Sequence, residues 1–257
     1  MPGGGAALMK TELLYGMHPV REALLAGKRQ FQAVYVSESR TGEGKEDILS
    51  LARERGIEVK TPDQSFFKGQ DRGGQGVAAR VSLFKPIALE LLVKKAGGEQ
   101  PLFFLLMDEI NDPQNCGALM RTALCAGVNG VIMPDKRSSP LSPAVSKASA
   151  GALEHMPVAR VVNLVRSMQY LKDQGVWFFG LDARASGTVW EADLTGPAAV
   201  VVGNEGKGLR PLVRKECDQL VSIPQAGPLG SLNASVAGAL SMYEVMRQRR
   251  MSVKSKG

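Results

Sequence analysis

Histidine is nearly missing from this chain of 257 residues, which holds two, His18 and His155. Both lie far in sequence from the glycine-rich loops described below, so no Ser-His-Asp hydrolase set is visible, and His155 reads as a structural residue. Cysteine is scarce as well. Cys116, Cys125 and Cys217 form no C-x-x-C pair and are odd in number, which excludes a disulfide framework and argues against a zinc site. No metal is expected, and a reducing, cytoplasmic setting is the natural reading. No apolar run reaches the length of a membrane span. Met1–Met9 lacks the charged start and long apolar centre of a signal peptide. The phosphate-cradling G-x-x-x-x-G-K-[ST] is absent too. Gly203-x-x-Gly206-x-Gly208 runs opposite to the dinucleotide G-x-G-x-x-G. About twenty residues on, where a ribose-binding acid would stand, the chain has Ile223. These absences weigh against hydrolase, ATPase and classical dehydrogenase chemistry.

What is present is a basic, well-cored chain. The net charge of +7 and a pI near 9.4 suit a polyanionic partner, and 44% hydrophobic residues suit a proper core. Five parts are expected: a disordered tail over 1–9, a small domain over 10–83, a linker over 84–101, a large domain over 102–250 and a basic tail over 251–257. In the small domain, helices are expected at Pro19–Leu25 and Lys45–Arg55. Strands are expected at Ala33–Val36, Ile57–Lys60 and Gly76–Val81. The loop from Lys68 to Gly76 is polar, with two basic residues, and suits either an RNA contact or a solvated connection. In the large domain, strand-like runs recur at Phe103–Met107, Val131–Met133, Trp177–Leu181, Ala198–Val202 and Leu220–Ile223, with helical segments between them. That alternation predicts an α/β fold with a mostly parallel sheet covered on both faces. A last helix, roughly Ala234–Arg249, ends in Arg247, Arg249 and Arg250, which suit the helix C-terminal dipole or an RNA-facing end.

Three loops carry groups able to do chemistry. The run ending at Val202 opens into Gly203-Asn-Glu-Gly-Lys-Gly-Leu209, which bears the carboxylate of Glu205. The run ending at Ile223 opens into a second glycine-rich loop that closes on Ser231-Leu232-Asn233, where Ser231 and Asn233 donate and accept hydrogen bonds. Glycine at such strand ends lets backbone approach a ligand. Upstream, Pro113 stiffens a turn before a helix that ends short of Gly127. Asn115 stands near its N-terminus, where Asn is a favoured cap. Arg121 lies six residues further on, a spacing taken to turn both side chains broadly to one face. An Arg within Cys116-Gly-Ala-Leu-Met-Arg-Thr-Ala-Leu124 reads as functional, because Arg is rarely buried unpaired.

These segments carry a resemblance. Asn111-Asp-Pro-Gln-Asn-Cys-Gly-Ala-Leu-Met-Arg121, Gly203-Asn-Glu-Gly-Lys-Gly-Leu209 and Ile223–Ala237 resemble, in order, the three motifs of the SpoU/TrmH-type RNA ribose 2′-O-methyltransferases of the SPOUT superfamily. Tyr15-Gly-Met-His-Pro-Val-Arg-Glu-Ala-Leu24 and Ser149-Ala-Gly-Ala-Leu-Glu-His155 are similar to the RlmB subgroup, which methylates a guanosine ribose in 23S rRNA. The chain departs from that subgroup at Gly74, where histidine is usual, and at Gln225 and Ala234. The resemblance implies a SPOUT fold with a C-terminal trefoil knot, a small substrate-binding domain before it, and a homodimer with the site at its interface. It implies S-adenosylmethionine held by loops at Gly203, Asn204, Gly208, Ile223 and Leu232. It gives Arg121 the part of base or activator. By the chemistry of guanidinium, a cationic Arg121 that stabilises developing alkoxide and grips phosphate is physically easier, and Glu205 is then the alternative proton acceptor or the partner that orients Arg121. Asn115 and Asn233 would position ribose and Arg, with Ser231 beside them. Two other readings stand beside this one: the same reaction on tRNA, and a non-catalytic RNA-binding protein of ribosome assembly. A nicotinamide-linked oxidoreductase is a distant third.

Overall fold

The computed structural model describes residues 10–38, 42–67, 76–98 and 100–254. The expected tail 1–9, the basic loop from Lys68 through Gly74 to Gln75, and 255–257 lie outside the described residues. In chain order the elements are β1 (Thr11–Tyr15), α1 (Met17–Ala26), β2 (Phe31–Val36), α2 (Glu43–Glu54), β3 (Val59–Lys60), α3 (Gln64–Phe67) and β4 (Val77–Ser82). Then come α4 (Leu89–Ala96), β5 (Phe103–Asp108), α5 (Pro113–Cys125), β6 (Gly130–Pro134), α6 (Pro143–Ala148), α7 (Ala152–His155), β7 (Val158–Val161) and α8 (Leu164–Lys172). The chain continues through β8 (Trp177–Leu181), β9 (Gly187–Thr188), β10 (Ala198–Gly203), α9 (Pro211–Glu216), β11 (Gln219–Ser222) and α10 (Ala234–Lys254).

Two compact units result. The first is Met1–Lys85 together with Leu141–His155. Its sheet has the order β1-β4-β2-β3, with β4 antiparallel to both neighbours and β2 parallel to β3. Leu14, Val20, Leu24, Val34, Ile48 and Val81 are fully buried between this sheet and α1 and α2. Gly27 ends α1 in the left-handed region at φ 64°, a conformation nearly free for glycine alone. The stretch 141–155, expected within the large domain, packs here through α6 and α7. Arg29 explains why. Its guanidinium donates to Glu154 at 2.7 and 3.1 Å and to Glu12 at 2.6 Å, with Glu154 1% exposed. Removing one partner of such a buried pair costs about 3–5 kcal/mol. His155 is structural as expected, with Nε2 2.8 Å from Glu22.

The second unit is Pro86–Pro140 with Met156–Gly257. Seven strands, all parallel, take the order β7-β6-β5-β10-β8-β11-β9. Every residue of β5 and β10 is buried, which is why both read as unbroken apolar runs rather than alternating ones. Phe103, Phe104 and Phe178 are among the largest buried side chains, each contributing about 1.5–3 kcal/mol of apolar burial. Residues 84–101, expected as a linker, include α4, whose Leu89 and Leu92 are buried in this unit's core. In the first unit β1 is an addition and β3 is two residues shorter than expected. The strands expected in the second unit are present to within a residue or so, and β7 and β9 are additions. Both are short, and β9 has only two residues, too few to show a period. Arg249 does more than complement the helix dipole of α10. It donates to the carbonyls of Pro101, Leu102 and Gly196 at 2.9, 3.0 and 2.6 Å and lies over the Phe103 ring. Among the described residues no helix is long and apolar enough to cross a membrane.

The order of strands places the site. From β5 the chain steps outward through β6 and β7, then returns to the other side of β5, where β8 leaves a gap that β10 fills. The carboxyl ends of β5, β10 and β8 therefore meet where the strand order reverses, the usual place for a ligand crevice.

Candidate active site

At the end of β5, Asp108 is completely buried, and the chain turns sharply through Glu109 at φ 59°. Asp112 caps α5, accepting the backbone N–H of Asn115 at 3.1 Å, and Pro113 takes the first helical turn, where its missing N–H costs nothing. The cap is thus Asp112 rather than Asn115. Freed from capping, the Asn115 side chain reaches elsewhere. Cys116, Gly117, Leu119, Met120 and Ala123 form the buried face of α5. Burial pushes the Cys116 thiol up to about 12, so it serves as an inert apolar group.

At the end of β10, the loop from Asn204 to Gly208 closes on itself. Gly208 N donates to Asn204 O at 2.8 Å, and Asn204 N to Gly208 O at 3.1 Å. The Asn204 side chain accepts from Gly206 N and Lys207 N at 3.0 and 3.3 Å and donates to Glu109 O at 3.1 Å. A Cβ on Gly203 would collide with the backbone of Gly208 and Leu209, and Gly208 sits at φ 69°. These two glycines are required for the closure itself. Glu205 projects from the loop, exposed.

The third segment enters at α10. Asn233 caps that helix, accepting from Ser235 N at 2.9 Å, Ser235 Oγ at 2.6 Å and Val236 N at 3.3 Å. Its amide donates to Asn115 Oδ1 at 3.0 Å, and Asn115 Nδ2 donates to Glu205 Oε1 at 2.7 Å. One hydrogen-bonded chain, Asn233 to Asn115 to Glu205, thereby joins all three sequence segments. Among the described residues, the other oxygen of Glu205 has no partner.

Beside this chain lies a cleft of about 430 Å³, within the range of small-molecule sites. Gly203, Asn204, Gly208, Ile223 and Leu232, with Glu205 and Ser231, all line it. Arg121 does not. It is exposed on α5, and no hydrogen bond or ion pair to it is present among the described residues. The cause is helical geometry: six residues turn the direction by about 120° from Asn115 and advance about 9 Å. The expectation that both share one face therefore fails. Asn115 faces Glu205 while Arg121 points to solvent.

Sequence reasoning missed Leu181, Asp182, Arg184 and Arg214, which also line the cleft. Asp182 accepts from Arg184 N at 2.9 Å and Arg214 Nε at 3.0 Å. The backbone N–H of Arg184 holds its carboxyl below the usual range, with the two arginines assisting. The signal that would have found it is position alone: β8 adjoins β10, so the residue after Leu181 stands at the same sheet edge. Among the described residues no cluster of three His, Cys, Asp or Glu side chains is placed to hold a metal ion.

Asn115 and Asn233 do not line the cleft themselves. A cleft of mixed apolar and charged lining, with a carboxylate at its edge held by two amides behind it, suits a group transfer in which a proton is removed in place. Comparison with known proteins bears on which transfer. The SpoU rRNA Methylase family model matches residues 102–243, and the model for RNA 2′-O ribose methyltransferase substrate binding matches residues 13–86. The 23S rRNA (guanosine-2′-O-)-methyltransferase RlmB of Vibrio vulnificus is 38% identical over 95% of this chain and 100% of its own. RlmB of Vibrio parahaemolyticus is 37% identical over 94% and 98%. The crystal structure of the SpoU methyltransferase AviRb from Streptomyces viridochromogenes, in complex with the cofactor AdoMet, superposes with a TM-score of 0.78 at 25% identity. It covers 94% of this chain and 91% of that one.

Proposed function

The chain belongs to the SpoU rRNA methylase family, and from that premise we propose that it methylates the ribose 2′-hydroxyl of a guanosine in 23S rRNA, with S-adenosylmethionine as donor. The observation that carries the reading is the Asn233–Asn115–Glu205 chain at the lip of the cleft. The cleft's lining fits the donor. Leu181, Val202, Ile223, Leu232 and Ala237 offer apolar walls for an adenine ring and a thioether chain, and Asp182, Asn204 and Ser231 offer polar contacts at its edge. Bound there, S-adenosylmethionine supplies an electrophilic methyl group on a positively charged sulfur.

The remaining work falls to the protein. A ribose hydroxyl is a poor nucleophile until its proton is taken. Glu205 accepts that proton on its unpartnered oxygen, while Asn115 fixes the other oxygen and Asn233 fixes Asn115. Arg121 brings a guanidinium, whose charge is spread over a planar fork. It stabilises the negative charge growing on the ribose oxygen and grips phosphate. Its place on the outer side of α5 supports a homodimer in which Arg121 serves the partner's cleft. Leu124, Val236, Leu240 and Tyr243 support the same reading. All four are 38–46% exposed on α5 and α10, an apolar face for a second copy to cover. The trefoil knot, the further roles of Ser231 and the cofactor loops, and a cytoplasmic setting belong to this reading too. A small unit that presents the RNA belongs to it as well. It is supported by the substrate-binding family match over residues 13–86.

The test is to incubate the purified protein with 23S rRNA and labelled donor and to map the product by mass spectrometry of nuclease fragments. One 2′-O-methylguanosine in the 23S rRNA is expected. Label in tRNA alone would move the substrate to tRNA. No transfer, with no heat of donor binding in calorimetry, would make the chain a non-catalytic RNA-binding protein.

A further inference from the structure

The loop that bears Glu205 is fastened at both ends to two consecutive residues. At its start, Asn204 Nδ2 donates to Glu109 O at 3.1 Å. At its end, Arg210 meets Asp108 three ways: backbone N to Oδ2 at 2.8 Å, Nε to Oδ1 at 2.6 Å, and Nη2 to Oδ1 at 2.6 Å. Asp108 has no exposed surface and pairs in register with Gly203 across β5 and β10. A carboxylate so buried must keep a cation, or its charge is left uncompensated.

We propose that Arg210 is a positioning residue for Glu205, acting through Asp108. The proposal rests on the methyl-transfer reading above and adds to it a residue outside the three loops' polar lip. Within the loop, the Asn204–Gly208 closure and the Asn204 side-chain bonds leave the backbone one arrangement. The orientation of that closed loop toward Asn115 is then set by its two fastenings. Of these, the Arg210 ion pair is the charged one and rests on a fully buried carboxylate, and so is the stiffer. The left-handed φ of 59° at Glu109 is kept because that turn aims its carbonyl at Asn204 and at Asn111 Nδ2, 2.9 Å away. The outer guanidinium nitrogen of Arg210 lies 3.6 Å from Glu109 Oε1, while the side chain as a whole is 39% exposed. With Nε and Nη2 committed to Asp108, Arg210 is held as a brace. An arginine that gripped RNA phosphate would keep its fork free.

The test is a double-mutant cycle in the full-length protein with RNA and donor. Arg210→Met should lower kcat about 10- to 100-fold, the scale on which a slightly misplaced group loses effect, with KM for RNA and donor affinity within about twofold. Arg210→Lys should recover part of the loss. In a Glu205→Gln background, Arg210→Met should cost nothing further, because there is no carboxylate left to aim. Amide exchange at Gly206 and Lys207 should quicken in Arg210→Met. Equal losses in both backgrounds, or a raised KM for RNA with kcat kept, would overturn the proposal, the second outcome making Arg210 a phosphate contact. If Arg210→Met does not fold, Asp108→Asn takes its place in the same cycle. A wild-type chain that transfers no methyl group refutes the functional reading alone. In that case unchanged amide exchange would still refute the brace, and quickened exchange would sustain it.

Discussion

Asn115 donates its side-chain N–H to Glu205 Oε1 at 2.7 Å, although 90 residues separate them in the chain. The contact orients a carboxylate that is otherwise exposed. Asn115→Asp would set two carboxylates against each other. Methyl transfer is expected to fall about 100-fold or more, the usual worth of one aligned proton acceptor, with donor affinity by calorimetry within about threefold. A matched loss of donor binding would instead make Asn115 part of the cleft wall.

Arg121 points away from its own cleft, so its service to a partner can be checked by mixing chains. Arg121→Ala and Glu205→Gln should each be nearly inactive alone. Mixed and reassembled, they should regain roughly a quarter of wild-type activity, since half of random dimers pair unlike chains and each of those has one intact site. No recovery would return Arg121 to its own protomer. Arg121→Lys keeps the charge but loses the planar fork, and a large fall in transfer with donor binding retained is expected.

Arg249 donates to four backbone carbonyls, those of Leu194, Pro101, Leu102 and Gly196, and lies over the Phe103 ring. Arg249→Met should destabilise the fold by about 1–3 kcal/mol in urea unfolding, because partly buried carbonyls lose their charged donor. Burial lowers its pKa from the ordinary arginine value, but the side chain remains a cation at neutral pH. RNA affinity per folded molecule should not change, whereas an RNA-facing arginine would lose affinity and keep stability.

The Cys116 and Cys217 thiols are pushed up to about 12 by burial, from an ordinary value near 9.0. Folded protein favours the neutral thiol, so this contribution is complete below about pH 9 and is lost as pH rises toward 12. Unfolding free energy should therefore decline over that window. Cys217→Ala should remove about half of the thiol-linked slope. At neutral pH the exposed Cys125 should react with a thiol reagent well before the other two.

Much of this molecule is legible without coordinates. Phe103–Met107 and Ala198–Val202 read as buried parallel strands because a strand covered on both faces has no polar side to interrupt the run. The three chemistry-bearing loops were visible for a related reason. Glycine clusters at strand ends state a backbone requirement, and Gly203 and Gly208 prove to be the residues that close the loop. Asp182 gave no such sign, because a lone Asp after a strand is common and its neighbour β10 is adjacent only in space.

What the sequence determined alone is local: which segments are strand or helix, where backbone must turn tightly, and which polar groups sit at those turns. Side-chain direction and long-range pairing were decided only by the tertiary structure. Helix phase sends Asn115 toward Glu205 and Arg121 away from it, and the packing of 141–155 beside β1 gives Arg29 its buried partner Glu154. The reason is physical. Periodicity and turn chemistry act over a few residues, whereas a hydrogen bond between positions 115, 205 and 233 exists only after strand order has brought three chain segments to one sheet edge.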